Sequence, residues 1–197
     1  RERQQYIDDM WEELAFLRGR PAGAVCDVGC GPGWLLRELG ADWVRVGVEI
    51  APEAVAELHR HGIQHVTGTI ELPPASMDVV IAYHVIEHMT DPLYEIARMR
   101  EILKPGGWLI LGTPDFGSPC AVRFGDKYRL LHDPTHVSLF TCESMHRFLR
   151  ENSFTIRDVR FPFPARYATP ANFMRWLDTS QVSPPWPGNF LTFYAQR

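Results

Sequence analysis

The stretch Val25-Cys26-Asp27-Val28-Gly29-Cys30-Gly31-Pro32-Gly33 decides the fold of this chain. Its first four residues are mostly small and apolar, as in a buried strand. The glycines that follow permit a tight turn and leave room for a ligand to approach the backbone. Pro32 suits the first turn of a helix, so we predict a helix over 34–39 that ends at Gly40. A strand, a glycine loop and a helix in this order form a nucleotide-type binding platform.

The composition is that of one globular domain without a strong charge bias. The chain has 197 residues, of which 45% are hydrophobic and 22% charged, and its formal net charge is -4. A mildly acidic chain gives no general electrostatic reason to bind nucleic acid. No apolar run approaches the roughly 20 residues of a membrane span. We therefore expect a single domain, 1–197, whose partners include neither nucleic acid nor a membrane.

The four cysteines, Cys26, Cys30, Cys120 and Cys142, show no disulfide-framework or zinc-ribbon spacing. They are most simply read as reduced thiols, and no signal-peptide pattern is visible. Because free thiols persist in reducing compartments, we expect a cytoplasmic protein.

Strands alternate with helices along most of the chain, which predicts a parallel sheet covered by helices on both faces. After the opening strand we predict strands at 44–50, 63–69, 77–83, 108–113, 154–161 and 190–195, and helices at 4–18, at 52–61, from Pro92 onward and at 142–151.

Three segments outside this alternation are candidates for binding the substrate. Segments 114–140 and 162–189 are too long for plain connections, so we expect them to form a lid. Residues 1–20 contain the predicted N-terminal helix. Either this helix packs on the sheet edge, or it covers the ligand cleft and places Tyr6 or Trp11 inside.

Two residues near the glycine loop distinguish between possible cofactors. Glu49 ends the second strand, where an acid accepts hydrogen bonds from ribose hydroxyls, and this suits NAD and S-adenosylmethionine alike. The NAD fingerprint requires a small residue where this chain has Trp34. Asp27 would repel a pyrophosphate but suits a ligand that carries an ammonium and a sulfonium. These residues favour S-adenosylmethionine.

The chain resembles the class I S-adenosylmethionine-dependent methyltransferases over about residues 22–161, nearest to small bacterial enzymes of the ubiquinone/menaquinone-type and glycan-cluster groups. Four motifs carry the resemblance: Asp27-x-Gly29-x-Gly31-x-Gly33; Glu49; Asp78 to Tyr83 with His84-Val85-Ile86-Glu87-His88; and Leu103-Lys104-Pro105-Gly106-Gly107. The family implies an α/β, Rossmann-like, doubly wound sheet of seven strands in the order 3-2-1-4-5-7-6, with strand 7 antiparallel.

The resemblance also implies which residues bind S-adenosylmethionine and its product S-adenosylhomocysteine. The glycines would line the methionine part, Asp27 would hold its amino group, and Glu49 would bind the ribose. Ile50 and Ile70 would pack on adenine, while Tyr83 and His84 would lie near the sulfonium. The complete expected set is Asp27, Gly29, Gly31, Gly33, Glu49, Ile50, Thr69, Ile70, Glu71, Tyr83 and His84.

The chain departs from the family at Gly68-Thr69-Ile70-Glu71, where the family usually has Gly-Asp-Ala-Glu. The Asp of the family accepts a hydrogen bond from the adenine amino group. The Thr69 hydroxyl or Glu71 is a candidate substitute. The departure also lends some support to an alternative function, that of a catalytically degenerate, cofactor-binding regulator.

His84-Val85-Ile86-Glu87-His88 also matches H-x-x-E-H, a zinc-protease signature. The surrounding motifs have no role in a protease, which argues against that function. A second alternative is a divalent-metal-assisted methyltransferase that acts on RNA or a quinone precursor, with His84, Glu87, His88 and His136 as ligands. We favour a site without metal, in which Glu87 and His88 tie the turn to neighbouring backbone.

His136 and His84 are the candidate catalytic residues. Methyl transfer to oxygen needs orientation of the reactants and a general base, and histidine is the commonest base. His136 follows the fifth strand, and His84 follows the fourth. The lid segments are rich in aromatic residues and contain a few cations, which suits a small acceptor. We therefore expect methyl transfer from S-adenosylmethionine to a small molecule at oxygen.

Overall fold

The computed structural model describes residues 2–197 and contains one seven-stranded sheet. The strands are β1 (Ala24–Val28), β2 (Val44–Val48), β3 (Gln64–Val66), β4 (Met77–Tyr83), β5 (Leu103–Pro114), β6 (Thr155–Arg160) and β7 (Phe190–Gln196). The helices are α1 (Glu2–Asp9), α2 (Trp11–Arg18), α3 (Pro52–Arg60), α4 (Pro92–Ile102), α5 (Pro119–Phe124), α6 (Cys142–Glu151) and α7 (Pro170–Leu177).

The strand order is β3-β2-β1-β4-β5-β7-β6, and β7 runs antiparallel to both of its neighbours. The remaining neighbours pair in parallel. This confirms the predicted doubly wound α/β fold. Because β1 to β6 all run in the same direction, these six strands end at one edge of the sheet, and the loops that follow them converge there.

The central strand β4 is apolar on both sides, as its sequence predicts for a strand covered by two layers. Val80 and Ala82 belong to one apolar cluster, and Val79 and Ile81 belong to the other. The sheet is therefore held between two cores, and the ends of β1 and β4 have fixed positions.

Two predicted helices differ from the structure. The helix expected over 34–39 is reduced to a 3-10 helix at Leu36–Glu38, because only a few residues separate Gly33, with φ +68°, from the extended Leu39. The helix expected over 4–18 is two helices that break at Met10. Met10 has φ -94° and ψ 17° and is fully buried, so the residue at the break has its side chain in the core.

The fifth strand was expected over 108–113, but β5 begins at Leu103 and includes the Lys104–Gly107 segment. The Gly106 N–H donates to the Arg197 carbonyl, and the Arg197 N–H donates to the Gly107 carbonyl. The end of the chain supplies these partners, and nothing in the local sequence indicates them.

The lid segments 114–140 and 162–189 pack against each other around a small apolar cluster of their own. Trp176 and Trp186 stack with ring centroids 4.2 Å apart. Arg123 Nε donates to the Trp176 carbonyl, and Lys127 Nζ donates to the Thr179 carbonyl. These two lid cations therefore hold the two segments together.

Among residues 2–197, no helix is both long enough and apolar enough to cross a lipid bilayer.

Candidate active site

The glycine loop after β1 has three residues in the left-handed region, with φ of +69°, +51° and +68° at Gly29, Gly31 and Gly33. A Cβ on Gly29 would lie 2.5 Å from Val85 Cγ2, and one on Gly33 would lie 2.6 Å from Leu58 Cδ2. A Cβ on Gly31 would have no atom within 4 Å. Gly29 and Gly33 are thus required for packing, whereas Gly31 faces open space that a ligand can occupy.

Glu49, directly after β2, anchors this loop through backbone amides. Its Oε2 accepts from the Gly31 N–H at 2.9 Å, and its Oε1 accepts from the Ile50 and Ala51 N–H groups at 2.7 and 2.9 Å. Each carboxylate oxygen has about two acceptor sites, so capacity remains for a ribose hydroxyl. The carboxylate therefore both orders the loop and presents an acceptor at its rim.

Asp27, in β1, is 3% exposed, and its Oδ2 atom has no hydrogen-bond partner among the described residues. Burial, and secondarily the nearby Glu49 carboxylate, raises the pKa of Asp27 to about 7. A buried carboxylate without a partner is costly unless something completes it. The ammonium group of S-adenosylmethionine would supply the missing donor, so the chemistry of this residue fits the cofactor that the sequence favours.

Ile50 and Ile70 stand exposed at the same edge of the sheet, 79% and 63% accessible. They follow the neighbouring strands β2 and β3, as expected for two residues that enclose an adenine ring. Large apolar side chains left this exposed next to a glycine loop are typical of an apolar ligand site.

The structure gives Thr69 and Glu71 other partners. The Thr69 side chain is buried and its Oγ1 lies 3.4 Å from Glu95 Oε2 of α4. Glu71 Oε1 accepts from the Thr67 N–H and hydroxyl and from the Gly68 N–H. Glu71 thus caps its own 3-10 helix, and the Thr69 hydroxyl is directed at α4.

A cavity of about 230 Å³ lies beyond the glycine loop, at the end of β4. Tyr6, Met10, Tyr83, His84 and Phe190 form part of its wall. The N-terminal helices therefore place Tyr6 in the wall of this cavity, which agrees with one of the two arrangements that the sequence left open. Trp11, by contrast, is largely exposed and does not line this cavity.

His84 is held in an uncommon backbone conformation, with φ +56°, by the turn that leaves β4. Its Nδ1–H donates to Glu87 Oε1 at 3.2 Å, and Glu87 Oε2 accepts from the Thr113 hydroxyl at 3.1 Å. Glu87 is buried. This arrangement leaves His84 Nε2 as an acceptor in the cavity wall, with its orientation fixed by a carboxylate.

Sequence reasoning missed the roles of Glu87 and Thr113. Glu87 was expected to tie the turn to neighbouring backbone, and its main-chain carbonyl does accept from the Val137 and Ser138 N–H groups. The sequence did not indicate that its carboxylate also bonds to the side chains of His84 and Thr113. The spacing of three residues between His84 and Glu87 was visible, whereas Thr113 lies on β5 and the sheet pairing alone brings it near.

His136 is placed differently from His84. Its side chain is almost buried, its Nδ1–H donates to the Leu130 carbonyl at 2.7 Å, and its ring lies 4.9 Å from that of His88. It does not line the 230 Å³ cavity. Of the two predicted catalytic histidines, only His84 faces the cavity.

Glu87, His88 and His136 offer ligand atoms that all lie within 4.8 Å of one another. This set contains three of the four residues proposed for a divalent metal. His84 is joined to it through the hydrogen bond to Glu87. His88 also bonds to the Thr135 carbonyl, as the metal-free interpretation expects of it.

The zinc-protease interpretation of the same motif fails on geometry. It requires His84 and His88 on one helical face, but His84 has positive φ and the turn that follows is a 3-10 helix at Ile86–His88 only.

Comparison with known proteins gives a match to a family model described as "Methyltransferase domain" over residues 1–159. A ubiquinone biosynthesis O-methyltransferase of Xanthomonas campestris is 37% identical over 106 residues, which cover 47% of this chain and 44% of that protein. The chain thus spans less than half the length of the curated relatives that it matches first.

Solved structures share the fold over nearly the whole chain. A possible histamine N-methyltransferase of Thermotoga maritima has a TM-score of 0.67 and 20% identity, covering 99% of this chain and 94% of its own. A Haemonchus contortus phosphoethanolamine N-methyltransferase, solved with S-adenosyl-L-methionine, has a TM-score of 0.66 and 19% identity, covering 95% of this chain and 52% of its own.

Proposed function

This chain belongs to the methyltransferase-domain family, among the class I S-adenosylmethionine-dependent enzymes, and from that premise we propose that it methylates a small-molecule acceptor at oxygen. The cofactor supplies an electrophilic methyl group on a sulfonium. The observation that carries the proposal is the combination of the unpartnered Asp27 Oδ2 beside the glycine loop with the His84–Glu87 pair at the adjoining cavity.

The cofactor-binding roles divide among the strand ends. Asp27 holds the amino group, Glu49 accepts from the ribose hydroxyls, and Ile50 and Ile70 enclose the adenine. Gly31 has no side chain, so the methionine part of the cofactor can lie against the backbone of the loop. Because Glu49 also anchors the Gly31 amide, one carboxylate couples the ribose site to the methionine site.

His84 is the proposed general base. Glu87 positions the His84 ring by accepting a hydrogen bond from its Nδ1–H, so Nε2 is free to take the proton from the hydroxyl group of the substrate. Tyr6, Tyr83 and Phe190 form apolar walls that orient the acceptor and exclude water. His136 has a structural role, since its ring faces Phe116 and His88 rather than the cavity.

We call the 230 Å³ cavity the reaction cavity and the part of the acceptor that carries the reacting hydroxyl its head. The size of the cavity limits this head to a small group. A volume of about 230 Å³ suits one aromatic ring and its substituents. The name of the Xanthomonas relative, an O-methyltransferase, supports oxygen as the methylated atom. The test is to incubate the protein with S-adenosylmethionine and a panel of simple phenols, catechols and anilines. Methyl ethers of the phenols are expected, and methylation of the anilines alone would contradict the choice of oxygen.

Replacing His84 with asparagine should lower kcat by about 100- to 10,000-fold, the range for loss of a general base. Asparagine tolerates positive φ, so the turn should survive. Affinity for S-adenosylhomocysteine, measured by calorimetry, should change by less than about threefold. His136→Asn is the matched control, for which kcat should stay within about threefold of wild type. The assignment is wrong if the two variants have equal kcat.

A second candidate function is methyl transfer assisted by a divalent metal, on RNA or a quinone precursor. The proximity of Glu87, His88 and His136 favours it. The leading proposal predicts that dialysis against a chelator leaves the rate of methyl transfer unchanged. A loss of activity that added Mg²⁺ or Zn²⁺ restores would establish the second candidate instead.

A further inference from the structure

A second cavity of about 970 Å³ adjoins the reaction cavity, between the N-terminal helices and the segment that follows β6. The two cavities share Asp9, Pro162, Pro164 and Arg166 as wall residues. A molecule whose reactive head fills the smaller cavity therefore has room for a tail in the larger one. We call the larger cavity the tail groove.

Carboxylates outnumber cations in the tail groove. Asp8, Asp9, Glu12 and Glu13 line it, together with only two cations, Arg160 and Arg166. Arg166 forms an ion pair with Asp9, and Arg160 forms one with Glu12 at 2.9 Å. Asp8 and Glu13 are the two acids that these arginines leave over, so the groove has a negative excess.

Glu13 is the more informative of the two. It is 3% exposed and forms no ion pair among the described residues, and its side-chain partner is the Tyr194 hydroxyl, at a long distance of 3.4 Å. Burial raises the pKa of Glu13 to about 7. Arg160 lowers this pKa only slightly, because it is paired directly with Glu12. A carboxyl group buried against a cavity without a directly paired cation is incomplete in the absence of a ligand.

Thr192 gives an independent indication at the same place. Its side chain is buried on β7, its Oγ1 atom has no hydrogen bond of acceptable geometry, and it lines the tail groove with Glu13. Buried polar atoms in native structures usually have partners. Two under-satisfied polar side chains on one wall therefore indicate a polar ligand group there.

Apolar side chains form much of the remaining wall of the tail groove, and two of them are exposed aromatic rings. Trp11 and Phe161 both line it and are more than half exposed. Aromatic faces together with carboxylates are the usual surroundings of a bound ammonium group.

We propose that the tail groove binds an ammonium group at the end of the acceptor, with Glu13 as its counter-ion and the Thr192 hydroxyl as a further acceptor of its N–H bonds. The inference rests on the proposed function and adds the substrate class: a small molecule with a hydroxyl-bearing head and a primary amine tail. Asp8 and Glu13 would repel a carboxylate tail in the same position.

The test uses three probes that share a phenol head and differ in tail charge: tyramine, tyrosol and 3-(4-hydroxyphenyl)propionate. Calorimetry on the protein saturated with S-adenosylhomocysteine should give an affinity for tyramine at least about tenfold higher than that for tyrosol, because a charge-assisted hydrogen bond contributes about this much. The affinity for 3-(4-hydroxyphenyl)propionate should be the lowest of the three. Glu13→Gln should lower tyramine affinity about tenfold or more and leave tyrosol affinity within about threefold.

Glu151→Gln removes a similar charge from the exposed end of α6, at a residue that does not line the groove, and should change none of these affinities. Equal affinities of the three probes for the wild-type protein would overturn the inference, as would failure of all three to bind. The affinities of the wild-type protein for the three probes test the inference even if Glu13→Gln does not fold. Failure of the protein to bind S-adenosylhomocysteine would count against the proposed function instead.

Discussion

Replacing Asp27 with asparagine should make the unliganded protein more stable and weaken its binding of S-adenosylmethionine by about 100-fold or more. Asp27 is buried, and its Oδ2 atom is unpartnered without a ligand. An uncharged amide removes that desolvation cost from the unliganded state. It also removes the counter-ion of the cofactor's ammonium, and loss of one partner of a buried ion pair costs about 3–5 kcal/mol.

The gain in stability should depend on pH in a defined direction. Burial raises the pKa of Asp27 from 3.8 to about 7 in the folded protein. A carboxyl group with a raised folded-state pKa destabilises the fold increasingly as pH rises from its unfolded-state pKa to its folded-state pKa. The difference in unfolding free energy between Asp27→Asn and wild type should therefore grow between about pH 4 and pH 7, then level off.

Chemical denaturation of both proteins without cofactor, at pH 5, 6, 7 and 8, measures this difference. Glu13, whose pKa is also raised by burial, is present in both proteins and cancels in the comparison. Asp126→Asn, a change at an exposed lid residue, serves as control and should alter neither stability nor cofactor affinity. A destabilised Asp27→Asn variant that still binds the cofactor normally would refute the assigned role.

Replacing Glu49 with alanine should raise the dissociation constant for S-adenosylmethionine by about 30-fold or more. The change removes the proposed acceptor for the ribose hydroxyls. It also releases the Gly31 amide and two amides at the end of β2, so the loop loses its anchor. Hydrogen bonds to a charged group contribute about 1.5–3 kcal/mol each, and at least one such bond to the ligand is lost.

Two further variants separate the ribose contact from a general effect of charge. Glu53→Ala, an exposed acid in the first turn of α3, should leave cofactor affinity unchanged. Glu49→Gln keeps one acceptor oxygen and should fall between wild type and alanine. Binding by Glu49→Ala at wild-type affinity would contradict the ribose assignment.

The elements that the sequence predicted best are those with a strong local pattern. The continuous apolar run gave β4 its observed limits, and the helix predicted at 142–151 has the limits of α6. The sheet order, by contrast, came from the family resemblance. Neither periodicity nor composition specifies that β7 inserts between β5 and β6.

The parts of the site that the sequence did not indicate depend on contacts between distant segments. Glu87 contacts Thr113 across the sheet, and Glu13 and Thr192 line one cavity although nearly the whole chain separates them. Thr69 was a candidate partner of adenine because of its position in a motif. In the structure its hydroxyl faces Glu95, a residue of α4 that no local pattern associates with it.

Cofactor binding by the wild-type protein tests the central claim most directly. Titration calorimetry with S-adenosylmethionine and with S-adenosylhomocysteine should show one site per chain, with dissociation constants in the micromolar range. The absence of a binding isotherm at millimolar cofactor, with a folded protein, would contradict the account.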